Sequence, residues 1–143
     1  MLSPSIFGVY LDDLLKELRD SGVGCHIGGI FFGAASFADD LALIAPCRSA
    51  MQRMIDICEA YGEKHNLKFS TDPIPAKSKT KCLFMCGPKV RNPLYPASLR
   101  LYGRDLPFVK HATHLGHDIN ENGLMDLDRK MKRSDLITEE AQR

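Results

Sequence analysis

Several things are missing from this 143-residue chain, and each absence narrows the reading. No apolar run approaches the roughly 18 residues that a membrane-spanning helix requires. Met1-Leu2-Ser3-Pro4 is followed by neither a basic segment nor a short apolar core, so no secretory leader is expected. Cys25, Cys47, Cys58, Cys82 and Cys86 are odd in number and form no CxxC pair. They read as reduced thiols of an intracellular protein, in cytoplasm or nucleus. There is no internal repeat and no low-complexity run. What remains is 44% hydrophobic and 26% charged residues, the balance of a folded globular chain.

The formal net charge of +1 hides a division along the chain. Residues 1–63 carry 4 basic and 9 acidic side chains, residues 64–110 carry 10 and 2, and residues 111–143 carry 5 and 7. An acidic segment followed by a basic one suits metal ions near the first and phosphates near the second.

The periodicities predict an α+β arrangement. Ser3 can cap a helix entered at Pro4, and Ile6, Phe7, Tyr10, Leu11, Leu14, Leu15 and Leu18 form its apolar stripe, ending at Ser21-Gly22. Gly28-Gly29 signals a tight turn. Two apolar runs, 30–37 and 41–45, flank Ala38-Asp39-Asp40 and predict a hairpin with carboxylates at its tip. A second amphipathic helix is predicted over 49–65, with Met51, Met54, Ile55, Cys58 and Tyr61 inward. Thr71 to Ala76 is a proline loop. A strand is predicted at 81–86, a loop at 88–96, a small hairpin around Gly103 and a strand at 113–119. The tail from Asp126 is helical in type.

Phe37-Ala38-Asp39-Asp40 carries the sharpest chemical signal. Adjacent carboxylates resist joint ionisation, and a divalent cation relieves that repulsion. Mg²⁺ takes hard oxygen ligands, commonly one or two carboxylates with phosphate oxygens. Turns favour Asp for their own reasons, so the pair alone does not establish a metal site. Asp12-Asp13 reads as a solvated helix face. His111, His114 and His117 lie three apart, which on a strand puts His114 opposite the other two. No cysteine is near enough in sequence to complete a tetrahedral site, so zinc is not expected there.

In order along the chain, Leu2-Ser3-Pro4-Ser5-Ile6-Phe7, Phe37-Ala38-Asp39-Asp40, Lys77-Ser78-Lys79-Thr80-Lys81 with Cys82-Leu83-Phe84, and His114-Leu115-Gly116-His117 resemble boxes of the reverse transcriptases of non-LTR, LINE-like retrotransposons. Asp126 to Arg133 is similar to the start of that family's thumb. The resemblance implies a partial polymerase palm: a small antiparallel sheet with two helices on one face, a primer-grip hairpin and a C-terminal helix. Residues 1–110 would be palm, with the catalytic hairpin at 30–45, and 111–143 primer grip and thumb.

It further implies two-metal phosphoryl transfer with Mg²⁺ or Mn²⁺ at Asp39 and Asp40, on an RNA template, a DNA primer and a deoxynucleoside triphosphate. Phe37 would pack under the hairpin. Lys79, with Lys77 as the alternative, would face the triphosphate. Lys81 is grouped with them as a phosphate contact, and His114, Leu115 and Gly116 would form the primer grip. Ser70 stands where the family often has Asn. The family's third carboxylate lies on a strand before the LSP box, which here begins at residue 2. The expectation is therefore a fragment inactive by itself. The alternative is a catalytically dead nucleic-acid-binding remnant using the basic 64–110 segment. The incomplete sheet suggests self-association.

Overall fold

The computed structural model describes residues 4–72, with side chains from residue 8, and residues 74, 76–87, 89–91 and 94–122. The expected Ser3 cap, the first residues of the LSP box and the expected thumb helix from Asp126 lie outside the described residues. Element order is α1 (Pro4–Asp20), β1 (His26–Ile27), β2 (Ile30–Phe31), β3 (Ala34–Phe37), β4 (Asp40–Leu43), α2 (Arg48–His65), β5 (Cys82–Leu83), β6 (Arg100–Leu101), β7 (Arg104–Asp105), β8 (Phe108–Val109), β9 (His111–His114) and β10 (His117–Asn120). The strands form five two-stranded ladders, and β5 with β8 is parallel. A single small antiparallel sheet was expected. Among the described residues the strands are two to four residues long and pair two by two.

The chain divides into two compact units, one of residues 1–80 with 96–106 and the other of 81–95 with 107–143. The 1–110 segment read as palm thus contributes to both.

In the first unit, α1 ends as its sequence predicts. Gly22 has φ +73°, and the Ser21 hydroxyl donates to the Leu18 carbonyl at 2.6 Å. Leu11, Leu14 and Leu18 of α1 meet Met54, Cys58 and Tyr61 of α2, and all six are buried. Each such leucine contributes roughly 1.5–3 kcal/mol of transfer free energy before ordering entropy is counted. Burial pushes the Cys58 thiol up to about 12, so it behaves as a small hydrophobe. The Tyr61 hydroxyl donates to the Tyr10 carbonyl, which ties the two helices. α2 ends at Asn66, a residue type that tolerates the left-handed conformation, at φ 54°.

Between β2 and β3 the apolar run expected as one strand is broken at Gly33. A Cβ there would sit 2.5 Å from the Phe31 ring and 3.1 Å from the Cys25 amide nitrogen. The backbone therefore folds back: Cys25 N–H donates to Ile44 O, and Phe32 N–H to Cys25 O.

The opposite side of α2 clasps the β6–β7 hairpin by its backbone. Arg48 donates to Ala97 O and Ser98 O, both at 2.9 Å. Gln52 donates to Arg100 O and accepts from Arg100 N–H, and Glu59 accepts from Tyr102 N–H at 2.7 Å. The hairpin turns on Tyr102 and Gly103, both at positive φ as a type I′ turn requires.

In the second unit, the expected 81–86 strand pairs only at Cys82 and Leu83, which run parallel to Phe108 and Val109. The Tyr95 ring lies 5.5 Å from Phe84 and 6.2 Å from Phe108, and its hydroxyl donates to Glu121 at 2.8 Å. The expected 113–119 strand is instead a hairpin. Leu115 and Gly116 both adopt positive φ and reverse the chain between β9 and β10.

Gly62 tests the packing of α2. A Cβ there would lie 2.6 Å from the Leu67 carbonyl oxygen, a backbone atom that cannot move aside alone. Alanine gains about 1 kcal/mol of helix propensity over glycine, while overpacking costs about 1–3 kcal/mol. Gly62→Ala is expected to lower stability in urea denaturation, against the propensity ranking.

Candidate metal-binding hairpin

The acidic pair lies on the β3–β4 hairpin. Pairing runs Phe37↔Asp40, Ser36↔Leu41, Ala35↔Ala42 and Ala34↔Leu43. Ala38 and Asp39 are the two turn residues, and Asp40 opens β4. Alternation sends Ala34, Leu41 and Leu43 towards the helical core, against which they pack. Phe37, Asp40 and Ala42 fall on the other face with Ala35. The carboxylates are thus held on a short ladder whose back is fixed to α1 and α2.

This parity corrects one expectation. Phe37 does not pack beneath the hairpin; it is 66% exposed, on the face that carries Asp40. Its pairing with Asp40 across the two-residue turn places both side chains on one face.

Ala38 has φ 54°, a left-handed conformation unusual for alanine. Asp39 is not among the positive-φ residues, so only the first turn position is left-handed, the pattern of a type II′ turn that normally favours glycine there. Such strain costs roughly 1–2 kcal/mol. It persists only where the surroundings over-determine the backbone, a situation frequent at functional sites.

Asp39 and Asp40 are exposed, and neither side-chain carboxylate has a hydrogen-bond or ion-pair partner among the described residues. Both carboxylates are free to serve as hard oxygen donors, which fits a magnesium-like cation. Among the described residues no three or more His, Cys, Asp or Glu side chains group as a metal site. The hairpin therefore offers two ligands, short of the three that the resemblance implies.

The other candidate residues lie elsewhere. Lys77 and Lys79 are exposed in the first unit, on either side of Ser78, which is 2% exposed. The Ser78 hydroxyl donates to Thr80 O, and the Thr80 hydroxyl to Ser70 O, so the loop backbone is pinned while the lysines project. Lys81 is exposed and belongs to the second unit. None of the three takes part in the ion pairs of the described residues. His114 closes β9, and Leu115-Gly116 is the turn that follows. His114 pairs directly with His117, so these two share a face and His111 lies on the other. The single-strand reading had placed His111 with His117. Thr113 and Asp118 pair on the His111 face, with the hydroxyl donating at 2.5 Å.

The sequence reading missed the strain at Ala38, which propensity does not announce. It also missed Arg48, Gln52 and Glu59, whose roles depend on contacts 43 to 50 residues away.

The chain is similar to a retrovirus-related Pol polyprotein from the type-2 retrotransposable element R2DM of Drosophila melanogaster. The two are 35% identical over 86 residues, covering 57% of this chain and 8% of that polyprotein. The chain is of retrotransposon-related origin. No family model matches it, and no solved structure matches it. No helix among the described residues is long and apolar enough to cross a membrane.

Ala38→Gly should relieve the turn. Release of the strain outweighs the extra chain entropy that glycine loses, which is worth about 0.5–1 kcal/mol. A gain of up to about 1 kcal/mol is expected in chemical denaturation. A loss would mean that the alanine methyl makes contacts worth more than the strain.

Proposed function

We propose that this chain is part of the RNA-directed DNA polymerase of a LINE-like element, and that its β3–β4 hairpin supplies Asp39 and Asp40 to bind catalytic Mg²⁺ or Mn²⁺. The observation that carries this is the uncommitted carboxylate pair on a strained two-residue turn backed by the helical core. Relatedness to a retrotransposon polyprotein supports the same reading.

When bound, such metal ions activate the primer 3′-hydroxyl and neutralise charge on the leaving pyrophosphate. Asp39 is the principal ligand, because the turn leaves its carboxylate clear of the ladder. Asp40, one residue into β4, is the weaker or outer partner. Lys79, or Lys77, meets the triphosphate, and Lys81 meets phosphate. His114, Leu115 and Gly116 hold the primer strand against an RNA template. Among the described residues the hairpin's two carboxylates fall one short of the three such a site uses, and the expectation is that this chain by itself gives no primer extension.

The test is a Mn²⁺ titration followed by paramagnetic broadening of backbone amide resonances. Broadening should begin at residues 38–41 and weaken most in Asp39→Ala, less in Asp40→Ala. Broadening at 38–41 that survives the double substitution would remove the metal reading. Primer extension on an RNA template, absent without enzyme and lost in Asp39→Ala, would show that two carboxylates suffice.

Lys77, Lys79 and Lys81, exposed and without an ion pair among the described residues, favour a second reading, a catalytically dead remnant that binds nucleic acid through the 64–110 segment. Binding to phosphates is dominated by counterion release and falls steeply with salt. The expected Kd for an RNA–DNA duplex is on the order of 10⁻⁵ M near physiological salt, as for other non-specific contacts. Replacing the three lysines with alanine should flatten the salt slope in fluorescence anisotropy. Binding indifferent to salt would place the contacts away from phosphates.

A further inference from the structure

Among the described residues the outer edge of β4 is open. Ile44 N–H donates to Gly33 O at 2.7 Å, which fixes Gly33↔Ile44 as a hydrogen-bonded pair. Antiparallel pairs alternate, so Ala35↔Ala42 and Phe37↔Asp40 are hydrogen-bonded as well. The peptide groups of Leu41 and Leu43 therefore point away from β3. No hydrogen bond to them is found among the described residues. Native edges are commonly blunted by lysine, proline or a bulge. Asp40-Leu41-Ala42-Leu43-Ile44 has no lysine, proline or bulge, and its one charge, Asp40, stands at the end of a short strand.

We propose that this edge pairs antiparallel with the same edge of a second copy of the chain, with the two-fold axis at Ala42. The occupant follows from the register. With Ala42 opposite Ala42 of the second copy, Leu41 faces Leu43 and Asp40 faces Ile44. Leu41 and Leu43 are the residues whose peptide groups point outward, so each Leu41–Leu43 pair exchanges two hydrogen bonds. The ladder gains four. Ala42 occupies the non-hydrogen-bonded position, where side chains approach most closely, and two methyl groups fit there.

Like charges directly opposite would oppose pairing, but this register keeps the two Asp40 carboxylates at opposite ends of the ladder. A one-residue shift in either direction turns the Leu41 and Leu43 side chains of one copy to the opposite face of the joint sheet. The result is one four-stranded antiparallel sheet with an isologous interface. Its outward face joins Phe37, at 66% exposure, and Ile44, at 50%, from both copies. A hairpin that is marginal alone becomes part of a sheet of stable size.

Light scattering coupled to size exclusion tests this on the full 143-residue chain. The wild type is expected at twice its 16.0 kDa mass. Ala42→Lys and Ala42→Glu each place like charges on the two-fold and should run as single chains. Mixed together, they should return to the double mass. A wild type at single-chain mass at every concentration overturns the proposal. So does a substituted chain that keeps the wild-type mass, because the association then lies elsewhere. Hydrogen exchange on the wild type needs no substitution and decides the matter if either variant fails to fold. The Leu41 and Leu43 amides should be protected in concentrated solution and lose that protection on dilution. Exchange at those amides that is independent of concentration overturns the proposal.

Discussion

The seam between α1 and α2 is the constraint on which the first unit depends. Leu11, Leu14 and Leu18 interleave with Met54, Cys58 and Tyr61, and the inward residues of the hairpin, Ala34, Leu41 and Leu43, close over them. Ala34 is small, so β3 can approach α1 closely. Without that seam the hairpin is an isolated two-stranded ladder, marginal in water. With it, the outward side chains are held at fixed positions.

α2 serves two partners from two sides. Its apolar stripe faces α1, while Arg48, Gln52 and Glu59 satisfy backbone groups of the 97–102 segment. These bonds do for the hairpin what a neighbouring strand would do. Hydrogen bonds involving charged groups are worth more than neutral ones, and here three of the five use Arg48 or Glu59. Glu59 also anchors Tyr102 at its positive φ, a conformation that a bulky residue keeps only under such restraint.

Much of this was legible in the sequence, and the rest failed for identifiable reasons. Both helices follow from leucine and methionine spacing, and Ser21-Gly22 marks the end of α1. Gly103 announces the β6–β7 turn. The 113–119 segment was harder, because Leu115 gives no hint of positive φ and His114-Leu115-Gly116-His117 alternates as a strand would. The break at Gly33 was hidden for another reason: it comes from contact with the Phe31 ring and the Cys25 backbone, which lie outside the local pattern. At the candidate site the apolar–acidic–apolar layout pointed to a hairpin turn. Which face each residue would take was not legible, because the local pattern does not say which side of the ladder turns to the helices.

Magnitudes decide that parity. The alternative face would turn Ala35, Phe37, Asp40, Ala42 and Ile44 inward and release Ala34, Leu41 and Leu43. Exchanging two leucines for Phe37 and Ile44 is close to neutral, since each such side chain is worth roughly 1.5–3 kcal/mol on burial. Asp40 breaks the tie. An unpaired carboxylate against Leu14 and Met54 would be forced to neutralise, at a cost of several kcal/mol, and the core holds no cation to meet it. The chain instead leaves Phe37 in solvent, keeps both carboxylates outside and accepts a left-handed alanine to make the turn. The exposed Phe37 is therefore a consequence of one requirement, that Asp40 stay in water on a hairpin whose other face is core.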